Sequence, residues 1–317
     1  MRRRILLGAM PGLLVLSGCG GDDRGEDQSQ MPANDTTTGP EPVKKLESFG
    51  LQLSTITPLL MADFEGTLAR VAEIGYRQVE FSALGFLGRP VSLVEELLTA
   101  NGLEAPVGRI SPKLPEDFAG LTPPEQMQTF RKFAGPEYLL ENVRWGLDGV
   151  QALGQKHLVL PALMPDRFAT LDETKASLEL LNQAGELCRD AGVQFGYHNH
   201  DWEFKEVEGV VPFDLMLQEL SPDVMSMQLD VYWVTKGGRD PVEYFQSHPG
   251  RFPSCHLKDI DADGDFADVG YGLIDFPKVV SAALASGTDY YFVERDGPPE
   301  PLQTAIKAHA YLKEMTL

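Results

Sequence analysis

Cysteine and basic residues are both scarce in this sequence, and each shortage excludes a class of protein. Three cysteines are too few for a disulfide framework, and we expect Cys188 and Cys255 to be buried thiols rather than a pair. Lysine and arginine number 27 against 47 aspartates and glutamates, which gives a formal net charge of −20. A nucleic-acid-binding surface needs concentrated positive charge, so this balance argues against nucleic acid as a partner.

A hydrophobic run long enough to span a bilayer is also missing. The run from Ile5 to Leu16 is short and interrupted by Pro11, and it lies between three arginines and the sequence Leu16-Ser-Gly-Cys19. This order is that of a secretory signal peptide, and its ending resembles a bacterial lipobox. We predict a lipoprotein signal peptide over residues 1–18, lipidation at Cys19, and a location on the periplasmic side of the cell envelope. An ordinary secretory signal with another cleavage point is the alternative.

The segment that follows has almost no large apolar side chain. Residues 19–46 are rich in glycine, aspartate, glutamine, threonine and proline, which predicts a flexible tether between the lipid anchor and the rest of the chain. Only the lipid would then contact the membrane. The remaining residues, 47–317, have a length common for a single α/β barrel.

Short apolar runs alternate with amphipathic stretches from Phe49 onward. Strands are predicted at 50–54, 78–82, 103–110, 157–163, 193–200, 225–230, 254–258 and 290–294. Helices are predicted at 63–74, 92–100, 136–153, 171–191, 213–220, 241–247, 276–286 and 301–315. Eight strands, each followed by a helix, predict a parallel (β/α)8 TIM barrel, with an open doubly wound sheet as its rival. No Gly-x-Gly-x-x-Gly follows the first strand, so a dinucleotide-binding fold is not expected.

Two stretches interrupt the regular alternation. Residues 111–133 contain four prolines and separate the third strand from its helix. Residues 261–274 contain four aspartates and three glycines and follow the seventh strand. Both connect a strand to the next helix, so we expect them near the face of the barrel that carries active sites. The aspartates do not have the spacing of a calcium loop, and we interpret this segment as a solvated loop.

Ionisable residues occur at the ends of four consecutive predicted strands. The fifth carries His198 and His200, with Glu203 just beyond; later strands carry Asp230, His256 and Glu294. Because the carboxyl ends of barrel strands meet at one rim, we expect these groups to converge. Nitrogen and carboxylate ligands without thiolates suit one divalent ion, Mn²⁺, Co²⁺, Zn²⁺ or Mg²⁺. A pair of surface histidines beside a glutamate is the alternative for the fifth strand.

An aspartate that follows an apolar strand often caps the next helix, so a structural role for Asp230 is the alternative to metal binding. The next predicted helix begins near Asp240, so we do not expect Asp230 to be such a cap.

Several motifs taken in order resemble the xylose-isomerase-like TIM-barrel superfamily, known broadly as sugar phosphate isomerases/epimerases. The resemblance extends from Phe49 to the C-terminus and rests on 75–81 (GYRQVEF), 196–204 (GYHNHDWEF), 229–233 (LDVYW), 255–259 (CHLKD) and 293–294 (VE). It implies a metal held by a Glu on strand five, an Asp on six, a His on seven and a Glu on eight. The last three correspond to Asp230, His256 and Glu294. Strand five departs from the pattern, because His198 stands at the glutamate position; His198, His200 or Glu203 would supply the fourth ligand.

The same resemblance implies a metal-dependent isomerase or epimerase acting on a sugar, keto-sugar or polyol through an enediolate-type intermediate. It places Lys258 and Glu80 in the substrate pocket, beside His200 and Glu203 as candidates for proton transfer. Trp233, with Tyr232, would offer a stacking face to a sugar ring.

Three alternatives to this function stay open. The Tyr-His-Asn-His variant resembles a branch that includes inosose dehydratase-like and keto-sugar-processing proteins, so elimination or hydration is as consistent as isomerisation. A carbohydrate-binding lipoprotein without turnover would share the barrel. An endonuclease-IV-like phosphodiesterase would also share it, but the acidic composition and the six histidines argue against that reading. We expect an unphosphorylated substrate, because no glycine-rich or basic phosphate-binding segment is apparent.

Overall fold

Eight parallel strands line the interior of the protein in a computed structural model that describes residues 45–317. Cys19, the predicted signal peptide and all but the end of the predicted tether lie outside the described residues. In chain order, the strands of the barrel are Gly50–Gln52 (β1), Gln78–Glu80 (β2), Val107–Arg109 (β3), His157–Leu160 (β4), Gln194–His198 (β5), Met225–Asp230 (β6), Ser254–Leu257 (β7) and Tyr290–Val293 (β10). Two further strands, Asp259–Ile260 (β8) and Phe266–Ala267 (β9), lie between β7 and β10 in the sequence. β8 and β9 form a separate antiparallel hairpin. The predicted TIM barrel is confirmed.

The order of strands around the barrel is β2, β1, β10, β7, β6, β5, β4 and β3, with every ladder parallel. β2 and β3 share no ladder and are joined by one bridge between Gln78 and Glu104. The backbone N–H of Val79 donates to the Glu104 carbonyl at 2.8 Å, and the N–H of Glu104 donates to the Arg77 carbonyl at 2.9 Å. The barrel is therefore nearly closed, with one weak seam.

Helices connect the strands and cover the outside of the barrel. They are Thr57–Ala62 (α1), Phe64–Ile74 (α2), Val91–Asn101 (α3), Pro123–Phe133 (α4), Leu139–Ala152 (α5), Leu171–Asp190 (α6), Pro212–Glu219 (α7), Val231–Lys236 (α8), Pro241–Ser247 (α9), Phe276–Ser286 (α10) and Pro301–Glu314 (α11). Eight of them match predicted helices within a few residues; α1, α4 and α8 are additional. No helix of residues 45–317 has the length and apolar character needed to cross a membrane.

The sequence prediction was wrong at two points that matter for the site. β5 ends at His198, so His200 lies beyond the strand and not within it. α8 begins directly after β6, and Asp230 is its N-cap: one carboxylate oxygen, Oδ1, accepts from the N–H groups of Tyr232 and Trp233 at 2.9 and 3.1 Å. A six-residue helix has too few turns to show a hydrophobic period, which is why the pattern did not reveal it.

Side chains alternate along β6 between the helix layer and the barrel interior, as the pleat of a strand requires. Met225, Met227 and Leu229 belong to the hydrophobic core, whereas Gln228 and Asp230 contact side chains of other strands inside the barrel. One layer of the barrel interior is consequently polar rather than aliphatic, and this layer leads into the site.

The thiols of Cys188 and Cys255 are buried and unpaired, as predicted.

Candidate metal centre

Four side chains from neighbouring strands meet at the carboxyl-terminal end of the barrel interior. They are His198 at the end of β5, Asp230 at the end of β6, His256 on β7 and Glu294 directly after β10. One potential ligand atom from each lies within 4.8 Å of the other three, and all four residues are buried. The convergence predicted from the strand ends is thus present in the fold.

Asp230 provides the test of whether this group fits a cation. Its second oxygen, Oδ2, is buried and accepts no hydrogen bond from any residue of the described chain. The Lys258 ammonium lies 3.5 Å away from Oδ2, and the His198 ring nitrogen Nε2 lies 3.8 Å away from it. A buried carboxylate oxygen without a donor is costly, and a bound cation would satisfy it. Two atoms that each lie about 2.2 Å from one ion are at most about 4.4 Å apart, so the four ligand atoms would have to move slightly closer together to hold it.

The His256 ring is held between two carboxylates. Its Nε2 lies 2.7 Å from Glu80 Oε2, and its Nδ1 lies 2.7 Å from Glu294 Oε2. Burial alone would lower the pKa of His256, but the charges of Glu80 and Glu294 outweigh it and raise the pKa to about 9. Burial would likewise raise the pKa of Glu294, which Lys258 and His256 hold well below its usual range.

His198 and His200 have different surroundings. His198 Nδ1 lies 3.1 Å from Gln228 Oε1, and burial, with the charges of His256 and Arg109, lowers its pKa well below the ordinary value. His200 stacks on Trp202 with ring centroids 4.3 Å apart and planes 5° from parallel. Burial, and then the Lys258 charge, lower the pKa of His200 to about 3. Its Nδ1 is buried and unpartnered among residues 45–317.

Glu80 lies inside the barrel beneath the group of four and is fully buried. Gln228 Nε2 donates to its Oε1 at 2.6 Å, and Arg109 donates to its Oε2 at 3.1 Å. Burial would raise the pKa of Glu80, but the nearby charges of His256 and Arg109 lower it below the ordinary value. These contacts occupy both oxygens, so the geometry favours a supporting role; a direct part in the reaction stays a prediction.

Lys258 lies beside the group of four, and its predicted place in the substrate pocket stays a prediction. Its ammonium is 3.0 Å from Glu294 Oε2 and 2.9 Å from Asp296 Oδ2. Burial would lower the pKa of Lys258, but Glu294, Asp230 and Asp296 raise it above the ordinary value. The side chain therefore carries a positive charge next to the candidate ligands.

Glu203 is not brought into the group of four. Its Oε1 accepts from the Tyr197 hydroxyl at 2.5 Å, and its Oε2 accepts from the His200 N–H at 2.9 Å. Burial raises its pKa to about 8. Glu203 thus fixes the backbone at His200, and its role in proton transfer stays a prediction.

An aromatic wall stands beside the centre. Trp233 is partly exposed, lies 5.2 Å from His200 by ring centroids, and has Lys258 Nζ 5.5 Å from its ring centre. Its indole N–H is buried and finds no acceptor in the described part of the chain. Tyr232 is completely buried against Phe266, so the structure places Trp233, and not Tyr232, on the open side of the wall.

Sequence reasoning missed Arg109, Gln228 and Asp296. Gln228 was detectable, because it lies two residues before Asp230 on the same face of an apolar strand. Arg109 was detectable as a charge inside the predicted third strand. No local signal identifies Asp296, which follows β10 by three residues and meets Lys258 only in the fold.

The fold and these strand-end residues together define a TIM barrel with a candidate metal centre at its catalytic face. Residues 68–315 match the family model for the xylose isomerase-like TIM barrel, and the chain belongs to this family. The predicted resemblance is therefore confirmed.

Individual relatives add two kinds of enzyme. The structure of a sugar phosphate isomerase/epimerase from Parabacteroides distasonis ATCC 8503 is similar, with 27% identity and a TM-score of 0.67 over 89% of this chain and 97% of that chain. Inosose dehydratase from Geobacillus thermodenitrificans is 26% identical over 167 residues, which is 46% of this chain and 55% of that protein. The inosose dehydratase from Lacticaseibacillus casei is 28% identical over 165 residues, which is 45% of this chain and 55% of that protein. The chain spans about half the length of these curated relatives.

Proposed function

We propose that the protein is a divalent-metal-dependent isomerase or epimerase acting on a sugar, keto-sugar or polyol. The reaction would transfer a proton at a carbon next to a carbonyl. The observation that carries the proposal is the group of His198, Asp230, His256 and Glu294, together with the unsatisfied Oδ2 of Asp230. A protein that only recognises carbohydrate has no need of this arrangement.

His198, Asp230, His256 and Glu294 would hold the ion. When bound, such an ion would supply the positive charge that polarises a carbonyl and offsets the negative charge that develops on its oxygen as the neighbouring proton is removed. Lys258 would donate hydrogen bonds to a substrate oxygen, since its ammonium already lies beside Glu294 and Asp230.

His200 and Trp233 would act on the other side of the substrate. The unpartnered Nδ1 of His200 would accept or return a proton, provided that the substrate places a C–H or O–H within hydrogen-bond reach. Trp233 would stack on the sugar ring and direct its free N–H to a substrate oxygen.

Elimination of water is the second candidate reaction. It is favoured by the relatives named inosose dehydratase. Both reactions begin with removal of a proton next to a carbonyl, and they differ in whether a neighbouring hydroxyl group then leaves. The same centre supports either outcome.

An unphosphorylated substrate fits the charges around the centre. Arg109 is paired with Glu80 at 3.1 Å, and Lys258 is paired with Glu294 and Asp296. Both cationic side chains that contact the group of four therefore already have carboxylate partners, and a phosphate would have to compete with them.

Metal analysis and hydrogen exchange test the proposal together. The purified protein would be loaded with Mn²⁺, Co²⁺, Mg²⁺ or Zn²⁺ and incubated in D2O with sugars, keto-sugars and inososes, each with and without phosphate where available. We expect one bound ion per chain and deuterium incorporation next to a carbonyl. Both should be lost in Glu294→Gln. Mass spectrometry distinguishes the two reactions. An isomer has the mass of the substrate plus any deuterium taken up, whereas an elimination product is lighter by one water.

Absence of both bound metal and exchange across this panel would contradict the proposal. Carbohydrate binding without either would assign the protein to the non-catalytic alternative.

We also propose that the chain is exported and anchored through Cys19. The basic start, the short apolar run and the Leu16-Ser-Gly-Cys19 ending support this proposal. Cell fractionation of the wild type and Cys19→Ala would test it: the wild type is expected with membranes and the variant in the soluble fraction. Equal distribution of the two would contradict it.

A further inference from the structure

A layer of three buried polar side chains lies directly beneath the candidate metal centre. Arg109 from β3 donates to Gln228 Oε1 at 2.7 Å and to Glu80 Oε2 at 3.1 Å. Gln228 from β6 donates through Nε2 to Glu80 Oε1 at 2.6 Å. β2 and β3 are neighbours at the seam and β6 lies across the barrel from both, so the bonds of Gln228 cross the interior.

The chemistry of the partners fixes which way the Gln228 amide points. Arginine can only donate hydrogen bonds, and a carboxylate can only accept them. Rotating the amide by half a turn would place its NH2 against the Arg109 guanidinium and its oxygen against the Glu80 carboxylate. Both contacts would then be repulsive, so the oxygen must face Arg109 and the NH2 must face Glu80.

This orientation determines the tautomer of His198. Gln228 Oε1 lies 3.1 Å from His198 Nδ1, and an amide oxygen only accepts, so Nδ1 must carry the hydrogen. The other ring nitrogen, Nε2, then keeps its lone pair. That atom is the one on the side of the centre, 3.8 Å from the unsatisfied Asp230 Oδ2.

We propose that Gln228 is a positioning residue that makes His198 a metal ligand. Its Oε1 accepts a hydrogen bond from the Nδ1–H group of His198, which leaves the lone pair of Nε2 for the cation. The inference rests on the proposed function, since it presupposes a metal. It also explains how a histidine can occupy the strand-five position, because Gln228 supplies the acceptor that such a ligand requires.

His256 has a comparable support in Glu80. Its Nε2 lies 2.7 Å from Glu80 Oε2, which directs one ring nitrogen to the buried carboxylate and the other towards Glu294 and the centre. Arg109 contacts both Gln228 and Glu80, so a single cation holds the supports of both histidines in place.

The first test compares the metal affinity of Gln228→Met with that of the wild type. Methionine has a similar volume, but its thioether sulfur is only a weak acceptor for the His198 Nδ1 hydrogen. We expect the affinity for Mn²⁺ or Co²⁺, measured by isothermal titration calorimetry, to fall by about 10- to 100-fold. The visible absorption spectrum of the Co²⁺ protein should change as well, because a nitrogen ligand is lost or displaced. Unchanged affinity and spectrum would overturn the inference.

Ser254→Ala is the matched control. Ser254 Oγ is the other acceptor of Gln228 Nε2, at 3.2 Å, and it has no bond to His198. The variant removes a buried contact of the same glutamine but keeps the acceptor of Nδ1. We expect its affinity to stay within about threefold of the wild type; a loss as large as that of Gln228→Met would mean general disruption and would overturn the inference.

A double-mutant cycle shows whether Gln228 acts through His198. In a His198→Gln background, Gln228→Met should cause little further loss of affinity, because the ligand that it supports is already absent. Additive losses would overturn the inference.

A measurement without substitution at Gln228 covers the case in which Gln228→Met does not fold. In the metal-free wild type, 15N chemical shifts of the His198 ring, assigned with His198→Gln, should show a protonated Nδ1 and an unprotonated Nε2. The opposite tautomer would overturn the inference. Failure of the wild type to bind any divalent ion would instead contradict the proposed function itself.

Discussion

Asp230 uses its two carboxylate oxygens for different purposes. Oδ1 accepts from the N–H groups of Tyr232 and Trp233 in the first turn of α8, whereas Oδ2 faces Lys258, His198 and the candidate metal centre. One side chain therefore both begins a helix and contributes to the site. Burial raises its pKa to about 6, in keeping with an oxygen that has no hydrogen-bond donor.

The two roles of Asp230 can be separated by substitution. Asp230→Asn keeps an oxygen for the cap but removes the negative charge, so we expect near wild-type stability in EDTA and at least a tenfold loss of metal affinity. Asp230→Ala should lose metal affinity and a further ~1 kcal/mol of unfolding free energy through the missing cap. Thermal unfolding and calorimetric titration measure the two effects. Wild-type metal affinity in Asp230→Asn would contradict the assignment.

Glu203 should make stability depend on pH. Its folded-state pKa of about 8 lies above the ordinary value of 4.5, so folding favours the protonated acid. This preference is fully satisfied below pH ~4.5, and it becomes a growing cost as the pH rises towards 8, where the buried group ionises. Wild-type stability should therefore fall relative to Glu203→Gln across this interval, by at most ~1.4 kcal/mol per pH unit. Parallel stability curves of the two proteins would contradict the raised pKa.

Residues at strand ends were predictable from the sequence, and their partners were less so. His198, Asp230, His256 and Glu294 could be selected because parallel strands end at one rim. Arg109 and Gln228 could be noticed as polar residues inside apolar strands, but their contacts with Glu80 and His198 depend on the stagger of the barrel, which the sequence does not show. The capping role of Asp230 was missed, because it depends on a helix too short to leave a pattern.

At the scale of elements, the Asp-rich connection after β7 is built around one buried carboxylate. Asp259 accepts from the backbone N–H groups of Ile260 and Ile274 through Oδ1, at 2.9 and 3.1 Å. Its Oδ2 accepts from Gly270 and Gly272 at 3.0 and 2.8 Å. The loop predicted to be simply solvated is thus a folded hairpin with its own internal support.

Removing this support should loosen the hairpin. We expect Asp259→Ala to lower the free energy of unfolding by at least ~3 kcal/mol, because four N–H donors lose their acceptor. Amide hydrogen exchange within residues 260–274 should rise more than in the barrel strands. Asp263→Ala is the control, since its exposed side chain lies in the same loop; comparable effects of the two substitutions would refute this role for Asp259.

Regular elements were predictable where they are long enough to show a period. All eight barrel strands and the eight helices between them follow from alternation and from glycine stops. α4 was missed because Pro123 and Pro124 suggested a loop, although proline is tolerated in the first turn of a helix. Its start is instead marked by Thr122, whose backbone N–H donates to Glu125 at 2.8 Å.

At the scale of the whole molecule, metal binding should be coupled to folding. A cation that binds only the folded chain adds stability by mass action, about 2.7 kcal/mol when its free concentration is 100 times Kd. We therefore expect Tm to rise on addition of Mn²⁺ or Co²⁺ to the EDTA-treated protein and to fall again with chelator. Glu294→Gln should show little or no such rise. Equal shifts in both proteins would locate the bound ion elsewhere.

The gap in the wall between β2 and β3 gives the polar layer a second consequence. Where those neighbours lack a ladder, the Glu80 carboxylate on one and the Arg109 guanidinium on the other are 3.1 Å apart. An ion pair inside the lumen thus compensates for missing backbone pairing at the weakest place of the cylinder. If β2 and β3 separated, Arg109 and Glu80 would move apart, and Gln228 and Glu80 would no longer hold His198 and His256 in position. Separation of these two strands and release of a bound ion should therefore occur together.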